Sequence, residues 1–135
     1  MIKLKDILFE RSENDTKDTG GVLYQSGDTI LLCLGSSSGK WNVPKGHIMK
    51  GEDPLEGSLR EFTEETQIIL NGTPELVKIY KKDNGGKFYL YMLKGEKKFV
   101  PHLNHEHSDW DYFHMNNLPV PMDSYVEETI EKLND

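Results

Sequence analysis

The amino-acid sequence predicts an α/β fold in a single domain that covers residues 1–135. Three observations support this prediction. A chain of 135 residues with 36% hydrophobic content has the size and composition of one domain with one core. Short apolar segments bounded by turn residues predict strands, and an amphipathic helix lies between them. A second amphipathic helix is predicted at the end of the chain, so the sheet has helices to pack against.

The predicted strands are short segments rich in apolar and aromatic residues. In chain order they are residues 2–10, which alternate weakly, and residues 22–24, 29–34, 75–82, 87–93 and 109–115. Turn residues at 25–28 and 83–86 separate neighbouring strands, and each of these turns predicts a β-hairpin. The polar residues 12–18 predict a loop, and residues 36–40 predict a flexible surface loop that leads to Trp41.

The first helix is predicted at Pro54–Thr66. Asp53 is a favourable N-cap, Pro54 suits the first helical position, and Glu56 completes an Asp-x-x-Glu variant of the capping box. The residues on one arc of this helix, roughly 60° wide, are Leu55, Leu59, Phe62 and Thr66. This face is predicted to enter the core, while the other face stays in water.

A second arc of the same helix, roughly 100° wide, carries the carboxylates Glu61, Glu64 and Glu65. Like charges at these spacings repel by about 0.2–0.5 kcal/mol per exposed pair, so the arrangement favours a bound cation. Ligands that are all oxygen favour Mg²⁺, or Mn²⁺, over zinc. The alternative is a solvated acidic helix face, which leaves the glycine, proline and arginine upstream of it unexplained.

A second helix is predicted from an N-cap at Asp123 through Leu133. Its residues predicted to face the core are Tyr125, Val126, Ile130 and Leu133. The one cysteine, Cys33, lies in an apolar run and is predicted to be a buried, inert thiol rather than a nucleophile. With a single cysteine, no disulfide can form within the chain.

The net charge of −7 argues against nonspecific binding to nucleic acid, DNA included, because such binding needs a basic surface. An acidic protein also needs a metal to admit a polyphosphate. The sequence has no signal-peptide pattern at its start and no apolar run approaching the length of a membrane span. We therefore expect a soluble, cytoplasmic protein without a membrane partner.

Gly46, Glu52 and residues 60–68 fit the pattern Gly-x5-Glu-x7-Arg-Glu-hydrophobic-x-Glu-Glu-x-Gly-hydrophobic, with Gln67 in place of the last glycine. This arrangement resembles the signature of the Nudix hydrolases. The resemblance implies an α/β/α sandwich with a mixed central sheet. It also implies hydrolysis of a phosphoanhydride bond in a nucleoside diphosphate linked to another group. The departure at Gln67 concerns a turn where left-handed backbone is often wanted, so it predicts a stability cost of roughly 1 kcal/mol.

Carried over residue by residue, the signature implies a metal site on the first helix. Glu61 and Glu65 would be the principal ligands, and Glu64 would be a further ligand or would hold a water. Gly46 would contribute its backbone carbonyl, since glycine is expected where backbone must approach a metal closely. The implied cofactor is Mg²⁺, with Mn²⁺ as the alternative.

Two flanking segments, residues 41–47 and 103–113, resemble the animal-type asymmetrical diadenosine tetraphosphate hydrolases, which carry Pro-Lys-Gly-His and His-Glu-His runs. This resemblance implies that Lys45 lies near substrate phosphate and that His47 lies beside the site entrance. Trp41 suits either the core or a wall of the substrate pocket, and the sequence does not decide between these roles.

The same resemblance completes the catalytic set. In that family the glutamate of the second run approaches the metals from outside the helix, so Glu106 is the candidate for a fourth carboxylate and for the general base. Arg60 and Glu52 resemble the pair that orients the helix and Glu61. The alternative for this pair is an ordinary surface salt bridge worth under about 1 kcal/mol.

Both flanking segments are open to a second interpretation. The His-Glu-His run at residues 105–107 is a weak zinc pattern because it lacks cysteine. Lys45 and His47 are alternatively plain exposed loop residues. Asn84 and Gly85 stand where diadenosine polyphosphate hydrolases commonly have a tyrosine, which departs from the subfamily pattern.

The expected partner is a small nucleotide, best a dinucleoside polyphosphate such as diadenosine tetraphosphate. The alternatives are an RNA 5′-triphosphate or cap pyrophosphohydrolase, for which the partner is an RNA 5′ end, and a nucleoside triphosphate pyrophosphatase. An alternative of a different class is a catalytically inactive module that binds nucleotides or a protein. The intact catalytic residues Arg60, Glu61, Glu64 and Glu65 argue against that last alternative.

Overall fold

The computed structural model describes residues 15–134. Its strands are β1 (Asp15–Ser26), β2 (Thr29–Gly35), β3 (Trp41–Asn42), β4 (Lys45–Met49), β5 (Glu75–Lys81), β6 (Lys87–Gly95) and β7 (His107–His114). Its helices are α1 (Pro54–Thr66) and α2 (Ser124–Leu133). The predicted strand at residues 2–10 lies outside the described residues, as do residues 12–14 of the predicted loop.

The prediction of a loop is wrong for residues 15–18, because they form the first part of β1. Asp15 pairs with Met49 of β4, and after a register shift the pairing resumes at Thr19. The side chains of residues 15–18 are polar, but backbone pairing to a neighbouring strand does not depend on apolar side chains. Composition alone therefore missed the start of the longest described strand.

Within residues 15–134 the strands form one mixed sheet with β1 at its centre. β1 runs parallel to β6 and antiparallel to β2 and β4. β5 pairs with β6, and both β3 and β7 pair with β2, all in antiparallel orientation. Both predicted hairpins, β1–β2 and β5–β6, are confirmed.

The predicted bounds of α1 and its predicted N-cap at Asp53 are confirmed. Asp53 Oδ2 accepts the backbone N–H groups of Leu55 and Glu56 at 3.0 and 3.2 Å. At the other end Gln67 has a φ of 60°, and its N–H donates to the Thr63 carbonyl at 2.7 Å. A glutamine thus occupies the left-handed position for which glycine is favoured.

The two helices cover opposite faces of the sheet. Val22 and Leu23 are neighbours in β1, so their side chains point to opposite faces. Val22 packs in a buried cluster with Phe62 of α1, and Leu23 packs in another with Val126 of α2. This arrangement confirms the α/β/α sandwich. Neither helix in the described part of the chain is long and apolar enough to cross a membrane.

One core prediction for α2 is wrong, because Leu133 is 40% exposed. Val126 and Ile130 are fully buried as predicted. Leu133 lies in the last turn, beside Leu76 and Val77 of β5. β5 is the edge strand of the sheet in the described residues, so no further strand covers this end of the helix.

Candidate active site

Two glycines allow α1 to approach the sheet closely. A Cβ added at Gly20 of β1 would overlap the Ser58 hydroxyl, and a Cβ at Gly46 of β4 would overlap the Glu61 carboxylate. Only glycine leaves room for these helix side chains. The Glu61 side chain therefore lies between the helix and the backbone of β4.

The prediction that the carboxylate face of α1 stays in water is wrong for two of its three members. Glu61 is 0% exposed and Glu65 is 2% exposed, whereas 39% of the Glu64 side chain is exposed. Helical periodicity shows which residues share a face but not what covers that face. Here β4 covers Glu61, and the start of β7 covers Glu65. Buried carboxylates are costly unless hydrogen-bond donors or cations compensate them.

Arg60 provides that compensation at one end of the face. Its Nε and Nη2 donate to Glu52 Oε2 and Oε1 at 2.8 and 3.0 Å, which makes a bidentate pair. Its Nη1 donates to Glu61 Oε1 at 2.9 Å and to Glu64 Oε1 at 3.2 Å. Nη2 also donates to the backbone carbonyl of His47 at 3.0 Å. These contacts join α1 to β4 and to the loop that precedes the helix.

The electrostatics agree with this geometry. The hydrogen bond from Arg60 lowers the pKa of Glu52, and a backbone N–H from Met49 adds to the effect. The hydrogen bond to Glu52, followed by the charge of Glu61, raises the pKa of Arg60. Arg60 and Glu52 have side chains that are only 24% and 17% exposed, so their pair is not an ordinary surface salt bridge.

Glu65, the other buried carboxylate of α1, contacts a histidine, whereas Glu61 contacts an arginine. His107, the first residue of β7, places Nδ1 at 3.0 Å from Glu65 Oε2. Cys33 lies near this pair: burial, and then the charge of Glu65, raises the pKa of its thiol to about 12. The prediction that Cys33 is buried is confirmed. In the sequence His107 belongs to the His-Glu-His run, but no periodicity marks it as a partner of α1.

The segment that precedes β7 is held by hydrogen bonds of its backbone and of the Asn104 side chain. The Glu106 N–H donates to Asn104 Oδ1, and its carbonyl accepts the Ser36 N–H, both at 2.9 Å. Asn104 Nδ2 donates to the carbonyl of Glu64 at 3.5 Å. His102 donates its N–H to the carbonyl of the last residue of α1 at 2.8 Å. Glu106 therefore has a fixed backbone position between β2 and α1.

A cavity of about 410 Å³ lies between residues 35–45 and residues 105–107. Its lining includes two cations, Lys40 and Lys45, together with Glu106 and His107. Lys45 and Glu106 are predicted site residues, and the structure brings them to one cavity. Lys40 is not among the predicted site residues, because the sequence predicts a flexible surface loop at residues 36–40.

The two remaining predicted substrate contacts lie elsewhere. His47 is exposed, and its Nδ1 lies 3.0 Å from the Thr16 carbonyl, so Nδ1 donates and Nε2 is left for other contacts. Trp41 packs against the cluster beneath α2, with its ring edge-on to Phe113 at 4.8 Å. Because Trp41 does not line the 410 Å³ cavity, the structure favours the core role that the sequence left open.

Lys82 is a further cation near the site, and no sequence motif marks it. Burial lowers its pKa, and the positive charge of Lys45 lowers it further. Lys82 follows β5 and donates its N–H to the Gly86 carbonyl at 2.9 Å within the β5–β6 turn. A hairpin that is distant in sequence thus brings positive charge towards Lys45.

The donor chemistry of α1 fits a divalent metal ion. Glu61 and Glu65 offer oxygen atoms that are shielded from solvent, next to the backbone of Gly46. Among residues 15–134, no three His, Cys, Asp or Glu side chains are gathered into a ready-made ligand cluster. The carboxylates instead face Arg60 and His107. The fit of this site to a divalent metal ion therefore depends on the oxygen donors of Glu61 and Glu65 and on the burial of these side chains.

Comparisons with known proteins agree with this geometry. The sequence profile of the NUDIX domain matches residues 15–133. The asymmetrical bis(5′-nucleosyl)-tetraphosphatase of Caenorhabditis elegans is 30% identical over 127 residues, which cover 82% of this chain and 87% of that protein. The m7GpppN-mRNA hydrolase dcap-2 of the same organism is 27% identical, over 83% of this chain but only 15% of its own length.

A solved structure supports the fold. The crystal structure of an Ap4A hydrolase binary complex from Caenorhabditis elegans superposes with a TM-score of 0.65 at 23% identity. The match covers 86% of this chain and 95% of that chain. At this level of identity the superposition establishes the α/β fold.

Proposed function

Because the chain belongs to the NUDIX family and is therefore a hydrolase of phosphoanhydride bonds, we propose that it cleaves a dinucleoside polyphosphate such as diadenosine tetraphosphate. The predicted family is confirmed by the profile match, and the predicted likeness to asymmetrical tetraphosphatases by the 30% identity. Family membership also implies a nucleotide substrate and a divalent metal ion. The choice of substrate and the roles of individual residues are the proposal.

The observation that carries the proposal is the cavity of about 410 Å³ beside the buried carboxylates. Lys40 and Lys45 line it with positive charge, and Glu106 lines it with a carboxylate. Lysine ammonium groups bind phosphate oxygens as point charges. In a protein whose net charge is −7, a local pair of lysines supplies the attraction that a polyphosphate needs.

The metal is proposed to be Mg²⁺, held by Glu61 and Glu65, with Glu64 and the Gly46 carbonyl as further ligands. When bound, it would neutralise phosphate oxygens, lower the pKa of the attacking water and stabilise the leaving group. Oxygen donors without cysteine or histidine in the set favour this ion, and Mn²⁺ has the same preference for oxygen.

The residues of the chain have separate roles in the proposed reaction. Arg60 and Glu52 hold the Glu61 carboxylate against β4, as their hydrogen bonds at 2.8 to 3.0 Å indicate. Glu106 removes a proton from the attacking water. Lys45 binds a phosphate oxygen and orients the chain of phosphates for in-line attack. No covalent enzyme intermediate is required.

A second candidate substrate is the capped or triphosphorylated 5′ end of RNA. The 27% identity to dcap-2 favours it, although the chain spans only 15% of that relative's length. The phosphate chemistry is the same for both substrates, so the carboxylates of α1 do not distinguish them. A binding module without catalysis is the less favoured alternative, since Arg60, Glu61, Glu64 and Glu65 are all present.

A substrate panel tests the proposal. The purified chain is incubated with diadenosine tetraphosphate, capped RNA, triphosphorylated RNA, ADP-ribose and nucleoside triphosphates, with and without Mg²⁺, and products are separated by chromatography. We expect Mg²⁺-dependent cleavage of diadenosine tetraphosphate into ATP and AMP with the highest kcat/KM of the panel. A higher kcat/KM for capped RNA would favour the second candidate, and no turnover of any substrate would favour the binding module.

A further inference from the structure

We infer that His107 is a positioning residue for Glu65: it holds one carboxylate oxygen, so that the other oxygen is presented to the divalent cation. This inference rests on the proposed function, because it takes Glu65 as a metal ligand. It adds to that function a residue from β7, outside the helix that carries the family signature.

The first observation is the contact itself. His107 Nδ1 lies 3.0 Å from Glu65 Oε2, and the side chains are 9% and 2% exposed. Within the described residues, neither atom makes a hydrogen bond of regular geometry, and both atoms are shielded from solvent and face each other. Two lone pairs that faced each other at this distance would repel, so the 3.0 Å approach is that of a protonated Nδ1 to Oε2, a close polar contact that is not aligned as a hydrogen bond.

The second observation is the backbone that aims the histidine. His107 pairs with Gly35 of β2, and the register of the β2–β7 pairing shifts between Leu34 and Gly35. Such irregularities re-aim a side chain at the end of a strand pair. The His107 N–H also lies 3.3 Å from the Asn104 carbonyl, which fixes the start of β7. The imidazole is therefore placed by β2 and β7 rather than by α1.

The two ends of the carboxylate face are consequently held by different chemistry. Arg60 contacts Glu61 and Glu64, and its permanent positive charge competes with a metal for their oxygens. An imidazole whose N–H edge lies against a carboxylate orients it without that permanent charge. Partners of this kind behind metal ligands typically contribute 10–100-fold in metal affinity.

The test compares three substitutions in the whole chain. His107→Leu removes the donor and keeps an apolar side chain at a nearly buried position. His107→Asn restores an amide N–H at the same number of bonds from Cβ as Nδ1. His114→Leu is the matched control, because His114 is the exposed last residue of the same strand.

The readout is Mn²⁺ binding without substrate, measured by electron paramagnetic resonance of the free ion, with kcat as a function of Mg²⁺ beside it. We expect His107→Leu to weaken Mn²⁺ binding about 10–100-fold and to raise the Mg²⁺ requirement in parallel. His107→Asn should stay within about threefold of the parent, on the same estimate. The control should match the parent.

Unchanged Mn²⁺ affinity in His107→Leu would overturn the inference. This holds even if the variant has a lower thermal stability, because His107 would then have only a structural role. If His107→Leu does not fold, His107→Gln replaces it, since its amide lies one bond further out and mimics Nε2. Equal affinity of the Asn and Gln variants would then overturn the assignment of Nδ1. If the parent protein binds no Mn²⁺ and hydrolyses no nucleotide, the proposed function itself is wrong. If the parent binds and hydrolyses normally and the His107→Leu variant behaves like it, only the role assigned to His107 is wrong.

Discussion

The two helices begin alike and both bury apolar side chains, but α1 also buries charged ones. Asp53 and Asp123 each accept backbone N–H groups at the start of α1 and α2. α2 keeps its glutamates towards solvent: Glu128, for example, has a side chain that is 51% exposed and lies 3.7 Å from Lys132. α1 instead buries two glutamates against the sheet.

Stability alone explains only one of these two helices. The apolar residues that α2 buries stabilise the fold by about 25 cal/mol per Å² of area removed from water. Burying a carboxylate tends to destabilise the fold, because the desolvation cost can exceed the gain from its partners. The sequence of α2 is therefore accounted for by packing. Packing does not account for the buried carboxylates of α1, and the chemical task proposed for them does.

The largest expected effect comes from changing one buried carboxylate on α1. Glu61→Gln keeps the shape and the acceptor for Arg60 but removes the negative charge, so kcat should fall by about 10²–10³ with folding retained. The matched change on α2, Glu128→Gln, should leave kcat unchanged. Steady-state kinetics at saturating Mg²⁺ and circular dichroism check both variants. Near-parental kcat in Glu61→Gln would remove the functional reason for the contrast between the helices.

A second prediction asks whether the chemistry extends beyond α1. Glu106→Gln should lower kcat by about 10², because general-base assistance typically contributes 10²–10⁴-fold. Residual activity should rise further into alkaline pH than the parent's, where hydroxide forms without help. The pH profiles of kcat for the two proteins provide the measurement. An unchanged kcat would return the base to the helix, with Glu64 as the next candidate.

A third prediction concerns the stability of the charged network. The pKa of Glu52 is lower in the folded protein than its ordinary value, so its contribution is present above that ordinary value and is lost as pH falls through the folded pKa. Glu52→Gln should therefore reduce the free energy of unfolding by about 1–2 kcal/mol at neutral pH. The gap between variant and parent should close in acid. Urea unfolding at several pH values measures it, and a gap that persists at low pH would contradict the assignment to charge.

The smallest effect is expected at the helix ends. Gln67→Gly should raise the free energy of unfolding by about 0.5–1 kcal/mol, because its φ of 60° strains a residue with a side chain. Asn134, at the end of α2, has a φ of −87°, so Asn134→Gly should bring no gain. Thermal unfolding of both variants makes the comparison. Destabilisation by Gln67→Gly would mean that the glutamine side chain contributes contacts that outweigh the strain.

The elements of the fold were predictable where short-range rules decide them. Asp53 and Pro54 fix the start of α1 through capping and backbone preference, which are local properties of the chain. The burial of Glu61 and Glu65 was not predictable, because it depends on β4 and β7, which are brought to the helix by long-range pairing. The contact of His107 with Glu65 was not predictable for the same reason. The residue identities were enough to predict the family. The environment of each side chain could be learned only from the three-dimensional structure.

The fastened segment before β7 has a consequence for the timing of the reaction. Hydrogen bonds tie it to Ser36 on one side and to the end of α1 on the other. We expect a segment held in this way not to act as a lid that folds over a bound nucleotide. We therefore expect the chemical step or the departure of the products, rather than closure of this segment, to set the turnover rate.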